Sequence, residues 1–134
     1  MIYVDANYWI YWFDQRLPEH KYVLKPMREA LREGIVLNVI TIIEVAHYLR
    51  NLAEKDFLDK LNKMQSLTSL ELVNLDTELL KLALEKLVRY AKVGIGGRDS
   101  VILATMQALG IKRIATHDKV FKQIKGLEVI DQIP

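Results

Sequence analysis

A chain of 134 residues has the length of one compact domain with a substantial buried core, and its 51% hydrophobic and 27% charged residues are the balance of a globular protein. Cysteine is absent, which excludes disulfides and thiolate metal sites, and the longest apolar stretch, Ile35 to Ile43, is interrupted by Asn38 and Thr41 and is too short to span a membrane. The net charge of +2 is unevenly spread, with 12 Lys and Arg against 13 Asp and Glu in residues 1–90 and 7 against 4 in residues 91–134, so the carboxyl third has a mild basic excess compatible with a polyanionic substrate.

The first residues carry neither a basic region nor an apolar leader core, so the chain is expected to be cytoplasmic, with no membrane partner. Ile2, Tyr3 and Val4 are strand formers in a short apolar run that stops at a carboxylate. That is the pattern of a strand buried on both faces of a parallel sheet. In such sheets ligands bind beyond the carboxyl ends of the strands, which puts Asp5, with Asn7 two residues on, at a candidate site. Tyr8 to Phe13 is an aromatic run in a short helix capped by Asp5 or Asn7. After a polar loop around Pro18, a second helix is expected with Pro26 in its opening turn, Met27, Ala30 and Leu31 on one face, and Gly34 as its stop. Ile35 to Ile40 is the second strand. Thr41 then reads as an N-cap and, with Glu44, gives the T-x-x-E capping box of a helix to about Leu52. Another helix follows over Glu54 to Leu67, with Phe57, Leu58, Leu61 and Met64 on one stripe.

Leu70 to Leu75 reads as the third strand, and Asp76 or Thr77 caps a long helix that ends before Gly94-Ile95-Gly96-Gly97. A further helix opens at Arg98-Asp99-Ser100 and stops at Gly110. Lys112 to Thr116 is the fourth strand, His117-Asp118 follows, a short helix holds Val120, Phe121 and Ile124, and Leu127 to Ile130 is the last strand. Strands alternating with helices from residue 1 to 134, with no linker or repeat, argue one α/β domain built on a parallel sheet covered on both faces.

Four acids stand out. Asp5, Glu44 and Asp118 are placed by one rule, the carboxyl edge of the sheet; Asp99 is less constrained, since its helix enters the fourth strand from the other side. Each also has an architectural explanation: Asp5 and Asp118 as N-caps, Glu44 as the third member of a capping box, Asp99 as a first-turn carboxylate. Gathered at one edge they would repel one another unless a cation neutralised them. Oxygen ligands without His or Cys suit Mg2+ or Mn2+, and the natural chemistry of such a site is phosphodiester hydrolysis.

The motifs Val4-Asp5-Ala6-Asn7, Thr41-Ile42-Ile43-Glu44, Arg98 to Thr105, and Ala115 to Phe121 resemble, in order and over the whole chain, those of the PIN-domain ribonucleases, in particular the VapC-type toxins. The resemblance implies a five-stranded parallel sheet of order 3-2-1-4-5 with Asp5 opposite Asp118. It also implies that Asp5, Glu44, Asp99 and Asp118 bind Mg2+ or Mn2+, with Thr116 and Asn7 matching polar positions of the same site. The implied reaction is cleavage of single-stranded RNA by a metal-activated water, leaving a 3′-hydroxyl and a 5′-phosphate. Relatives of this kind dimerise and are silenced by an antitoxin in an apolar groove.

Other signals carry less. Glu44-Val45-Ala46-His47 is E-x-x-H, but it occurs once, so a surface or hydrogen-bonded His47 is expected. The Gly94 to Gly97 stretch lacks the context of a P-loop or dinucleotide fingerprint. The aromatic run, with the Phe57, Leu58, Leu61 and Met64 stripe, is the expected antitoxin or dimer surface. Arg98, Lys119, Lys122 and Lys125 are candidates to guide phosphate. The alternative function is a catalytically inactive PIN-like module that binds RNA or protein. Phosphoryl chemistry on a covalent Asp ranks last, because Asp5-Ala6-Asn7 is not D-x-D.

Overall fold

Five short strands, Ile2–Val4 (β1), Ile35–Asn38 (β2), Leu70–Val73 (β3), Arg113–Ala115 (β4) and Glu128–Ile130 (β5), form one parallel sheet in the order β3-β2-β1-β4-β5 in the computed structural model, which describes all 134 residues. β1 is central, with Tyr3 in register with Val36 of β2 on one side and Ile114 of β4 on the other. Every residue of β1 and β2 is buried, as their unbroken apolar runs require, whereas the edge strand β3 exposes Glu71 and Leu72.

The helices are Ala6–Phe13 (α1), His20–Glu33 (α2), Val39–Leu49 (α3), Glu54–Gln65 (α4), Thr77–Arg89 (α5) and Gly97–Leu109 (α6), with single 3-10 turns at Ala91–Val93 and Lys119–Gln123. The path from β1 to β2 to β3 moves one way across the sheet and the path from β3 to β4 moves back. Right-handed crossovers therefore send α1–α4 to one face and α5 and α6 to the other. The direction reverses between β1 and β4, so a cleft opens there.

The main core joins the sheet to both layers through Trp9, Val23, Met27, Ile102, Met106 and Phe121, among others. Tyr8 and Trp9 are fully buried, and the Trp9 indole donates to the Val4 carbonyl at 3.1 Å. Much of the aromatic run is thus core rather than a partner surface. On α4, Leu61 and Met64 are likewise buried and only Leu58 is well exposed. The apolar stripe left open to solvent lies instead on α5, where Leu80, Leu84 and Val88, four residues apart, are 44%, 52% and 80% exposed.

Two helix starts differ from the sequence expectation. α2 begins at His20, so Pro26 lies in its second turn; its ring is buried beside Val23, Met27 and Ala30, and that packing offsets the backbone bond it cannot make. α3 is capped by Asn38, whose Oδ1 accepts from the Ile40 N–H at 3.0 Å, and the strand ends there rather than at Ile40. The Thr41 hydroxyl is taken by Tyr3 Oη at 2.7 Å and caps nothing. Asn38 also donates to Thr105 Oγ1 at 3.2 Å, which ties the start of α3 to the middle of α6. With the helix beginning earlier, Glu44 falls in its second turn and is free of any capping box.

Candidate active site at the carboxyl edge of the sheet

Asp5 leaves β1 and turns the chain into α1. Its Oδ1 accepts from the Ala6 N–H at 2.8 Å, and its Oδ2 accepts from the Thr116 hydroxyl at 2.7 Å. Thr116 follows β4, the neighbour of β1, so this bond spans the switch point. The Thr116 oxygen in turn accepts from the Asp118 N–H at 3.0 Å and from Asn7 Nδ2 at 3.3 Å, while Asn7 Oδ1 accepts from the His117 N–H at 3.1 Å. Asp118 caps the 3-10 turn through Oδ1, which accepts from Val120 N–H at 3.0 Å; its other oxygen takes no hydrogen bond. Both architectural readings of Asp5 and Asp118 are therefore correct, and each carboxylate faces the cleft as well.

That cleft, of about 640 Å³, is lined by all four acids, Asp5, Glu44, Asp99 and Asp118, together with Asn7 and Arg98. Asp99 follows the same placement rule as the others. A helix that feeds the start of a parallel strand must begin at the far edge, so the first turn of α6 lies at the carboxyl edge with Asp5. Thr116 is buried beneath the cleft rather than lining it. His47 is a wall residue, one turn along α3 from Glu44.

Electrostatics follow from crowding and burial. Burial pushes the Asp5 carboxyl up to about 6, against the pull of the Thr116 and Ala6 bonds, and the Asp99 and Asp118 charges push the same way. Glu44 is raised to about 7 by burial and the Asp5 charge, in spite of Arg98, whose Nη1 stands 3.3 Å from Glu44 Oε2. Asp99 is also raised, mainly by burial. Glu44 Oε1 is buried and has no hydrogen-bond partner.

A cation would satisfy the orphaned Glu44 oxygen and offset the crowding of the carboxylates, and an all-oxygen donor set would suit Mg2+ or Mn2+. No three of the acids are drawn tightly enough to hold an ion as they stand. The donor chemistry fits; the ligand set is not pre-closed.

Asp131, just past β5, escaped the sequence reading although it too ends a strand at this edge. Its carboxylate accepts from Tyr8 Oη at 3.0 Å and lies 2.9 Å from His117 Nδ1. It pins the turn that carries Asp118 to α1. The rule that picked out Asp5 would have found it.

The sheet order, the switch-point cleft and its four acids define a nuclease-like α/β architecture, and the family model described as PIN domain matches residues 2–127. The chain belongs to the PIN-domain family. Its structural likenesses are VapC-type toxins and related complexes. VapC20 of Mycobacterium tuberculosis, described as a sarcin–ricin-loop-cleaving toxin, matches with a TM-score of 0.74 at 17% identity, over 91% of this chain and 93% of that one. VapBC2 of Rickettsia felis, bound to a DNA fragment from its promoter, matches with a TM-score of 0.75 at 18% identity over 98% of each chain. A toxin–antitoxin complex from Klebsiella pneumoniae gives 0.65 at 18% identity, over 97% and 96%. Comparison with curated proteins returns no match. No helix is long and apolar enough to cross a membrane.

Proposed function

We propose that the protein is a Mg2+- or Mn2+-dependent endoribonuclease that hydrolyses single-stranded RNA in the cytoplasm as the toxin of a toxin–antitoxin pair. The observation that carries this reading is the convergence of Asp5, Glu44, Asp99 and Asp118 from four distant parts of the chain on one cleft, with Glu44 Oε1 left unpartnered. These four acids would hold the cation. Once bound, it supplies acidification of water and stabilisation of charge on the phosphate. Thr116 and Asn7 hold Asp5 Oδ2 toward the cleft, and Asp131, through His117, holds the turn that presents Asp118.

Antitoxin binding is supported by a second groove, of about 630 Å³, lined by Phe13, Leu49, Leu52 and Lys60, among others. It shares Tyr48 and Asn51 with the acid cleft, so a peptide that fills it and continues past these two residues would enter the cleft and bar RNA. The α5 stripe of Leu80, Leu84 and Val88 is the apolar face offered to the proposed homodimer.

The open spacing of the acids favours one other reading, a PIN-fold module that docks RNA or protein without cutting. The purified protein, freed of partners, is incubated with a labelled single-stranded RNA pool in Mg2+, Mn2+ or EDTA, with Asp5→Asn beside wild type. Cleavage that needs metal and disappears in Asp5→Asn is the expected result; RNA bound but intact in every condition would establish the docking module.

A further inference from the structure

Arg98 is the only Lys or Arg within ion-pair distance of any of the four acids, and it meets Glu44 alone. Its side chain is 66% exposed, against 17% for Glu44. An ion pair with one end so solvated is weak and easily exchanged. Only Nη1 of the guanidinium is engaged, which leaves most of its donors free. Arg50, the other arginine of the cleft, donates Nη1 to the His47 carbonyl at 2.6 Å and is turned to its own helix. Arg98 is anchored next to Asp99 in the first turn of α6, so a side chain that lets go of Glu44 stays at the mouth of the cleft.

We infer that Arg98 is an exchangeable counter-ion: it holds Glu44 while the cleft is free of metal, is released when a divalent cation takes that carboxylate, and then donates to a backbone phosphate of the RNA. The inference rests on the nuclease reading above and adds a residue to it. A divalent ion would win the exchange because it carries twice the charge, and Glu44 Oε1, which Arg98 does not reach, is unpartnered and available to it. The freed guanidinium is a planar fork suited to two phosphate oxygens, which an ammonium cannot match.

The exchange makes two predictions of opposite sign for Arg98→Met. Calorimetric titration without RNA should show Mg2+ binding about three- to fivefold tighter than wild type, the worth of one exposed ion pair removed. Binding of labelled oligouridylate in Ca2+, which takes the same oxygen ligands but activates water less, should be weaker, with a salt dependence shallower by about 0.7 in log–log slope, the signature of one lost phosphate contact. In EDTA the two proteins should bind oligouridylate alike, and Arg98→Lys should restore the salt slope but not the full affinity. Equal or weaker Mg2+ binding in Arg98→Met, or an unchanged slope in Ca2+, would overturn the exchange while wild type still binds metal and cuts. A wild type that takes up neither Mg2+ nor Mn2+ overturns the nuclease reading and the exchange with it.

Discussion

Asp5 and Glu44 bind protons more tightly in the folded chain than ordinary carboxyls do, at about 6 and about 7, because burial disfavours their charge. The sign of the linkage is fixed by that. Proton binding to the folded state stabilises it fully below about pH 4, and the benefit is lost as pH rises through 6 and 7. In EDTA the protein should therefore lose roughly 2 kcal/mol between pH 5 and pH 8 relative to Asp5→Asn or Glu44→Gln, read as the shift of urea midpoints. Mg2+ should stabilise wild type at pH 8 and do little at pH 5, where it competes with protons. A midpoint with the same pH profile in wild type and both variants would show that these acids are not strained.

At the scale of elements, Asn38 is the joint on which α3 depends. Asn38→Ala removes the helix cap and leaves Thr105 without its donor, and should cost about 2 kcal/mol in urea unfolding; Asn38→Ser, which keeps a cap, should recover about half. This joint was the part least legible beforehand. Thr41 and Glu44 satisfy the capping-box spacing, and nothing local in the sequence reveals that Tyr3, 38 residues away, claims the Thr41 hydroxyl. The strands were legible because each is a short apolar run with an abrupt polar end, and their order followed from the family resemblance. Asp5 and Asp118 were legible because they sit at strand ends. Asp99 was placed less firmly because its position depends on the direction in which α6 runs, a tertiary property. Part of the expected partner surface is core for a similar reason: α4 and α5 both carry stripes, and only packing shows that α4 buries Leu61 and Met64 while α5 leaves Leu84 and Val88 bare.

For the whole molecule, that bare face predicts an assembly. Leu84→Glu with Val88→Glu should convert the proposed dimer to a monomer in sedimentation velocity, with monomer stability changed by no more than about 0.5 kcal/mol, since neither residue is part of the core. A wild type that sediments as a monomer at high concentration would remove the homodimer from the proposal.

The double duty of Asp5 and Asp118 also bears on how relatives that have given up chemistry should look. Both carboxylates start a helical turn, so a descendant with no use for a cation would still be held to them by folding alone. Their persistence in a lineage says little about use. Glu44 caps nothing, and its burial taxes the fold, so drift is free to erase it once selection for catalysis ends, whereas Asp99 is held by the Gly96 backbone at the start of α6. In a family tree, position 44 is the one that would date the silencing of the site.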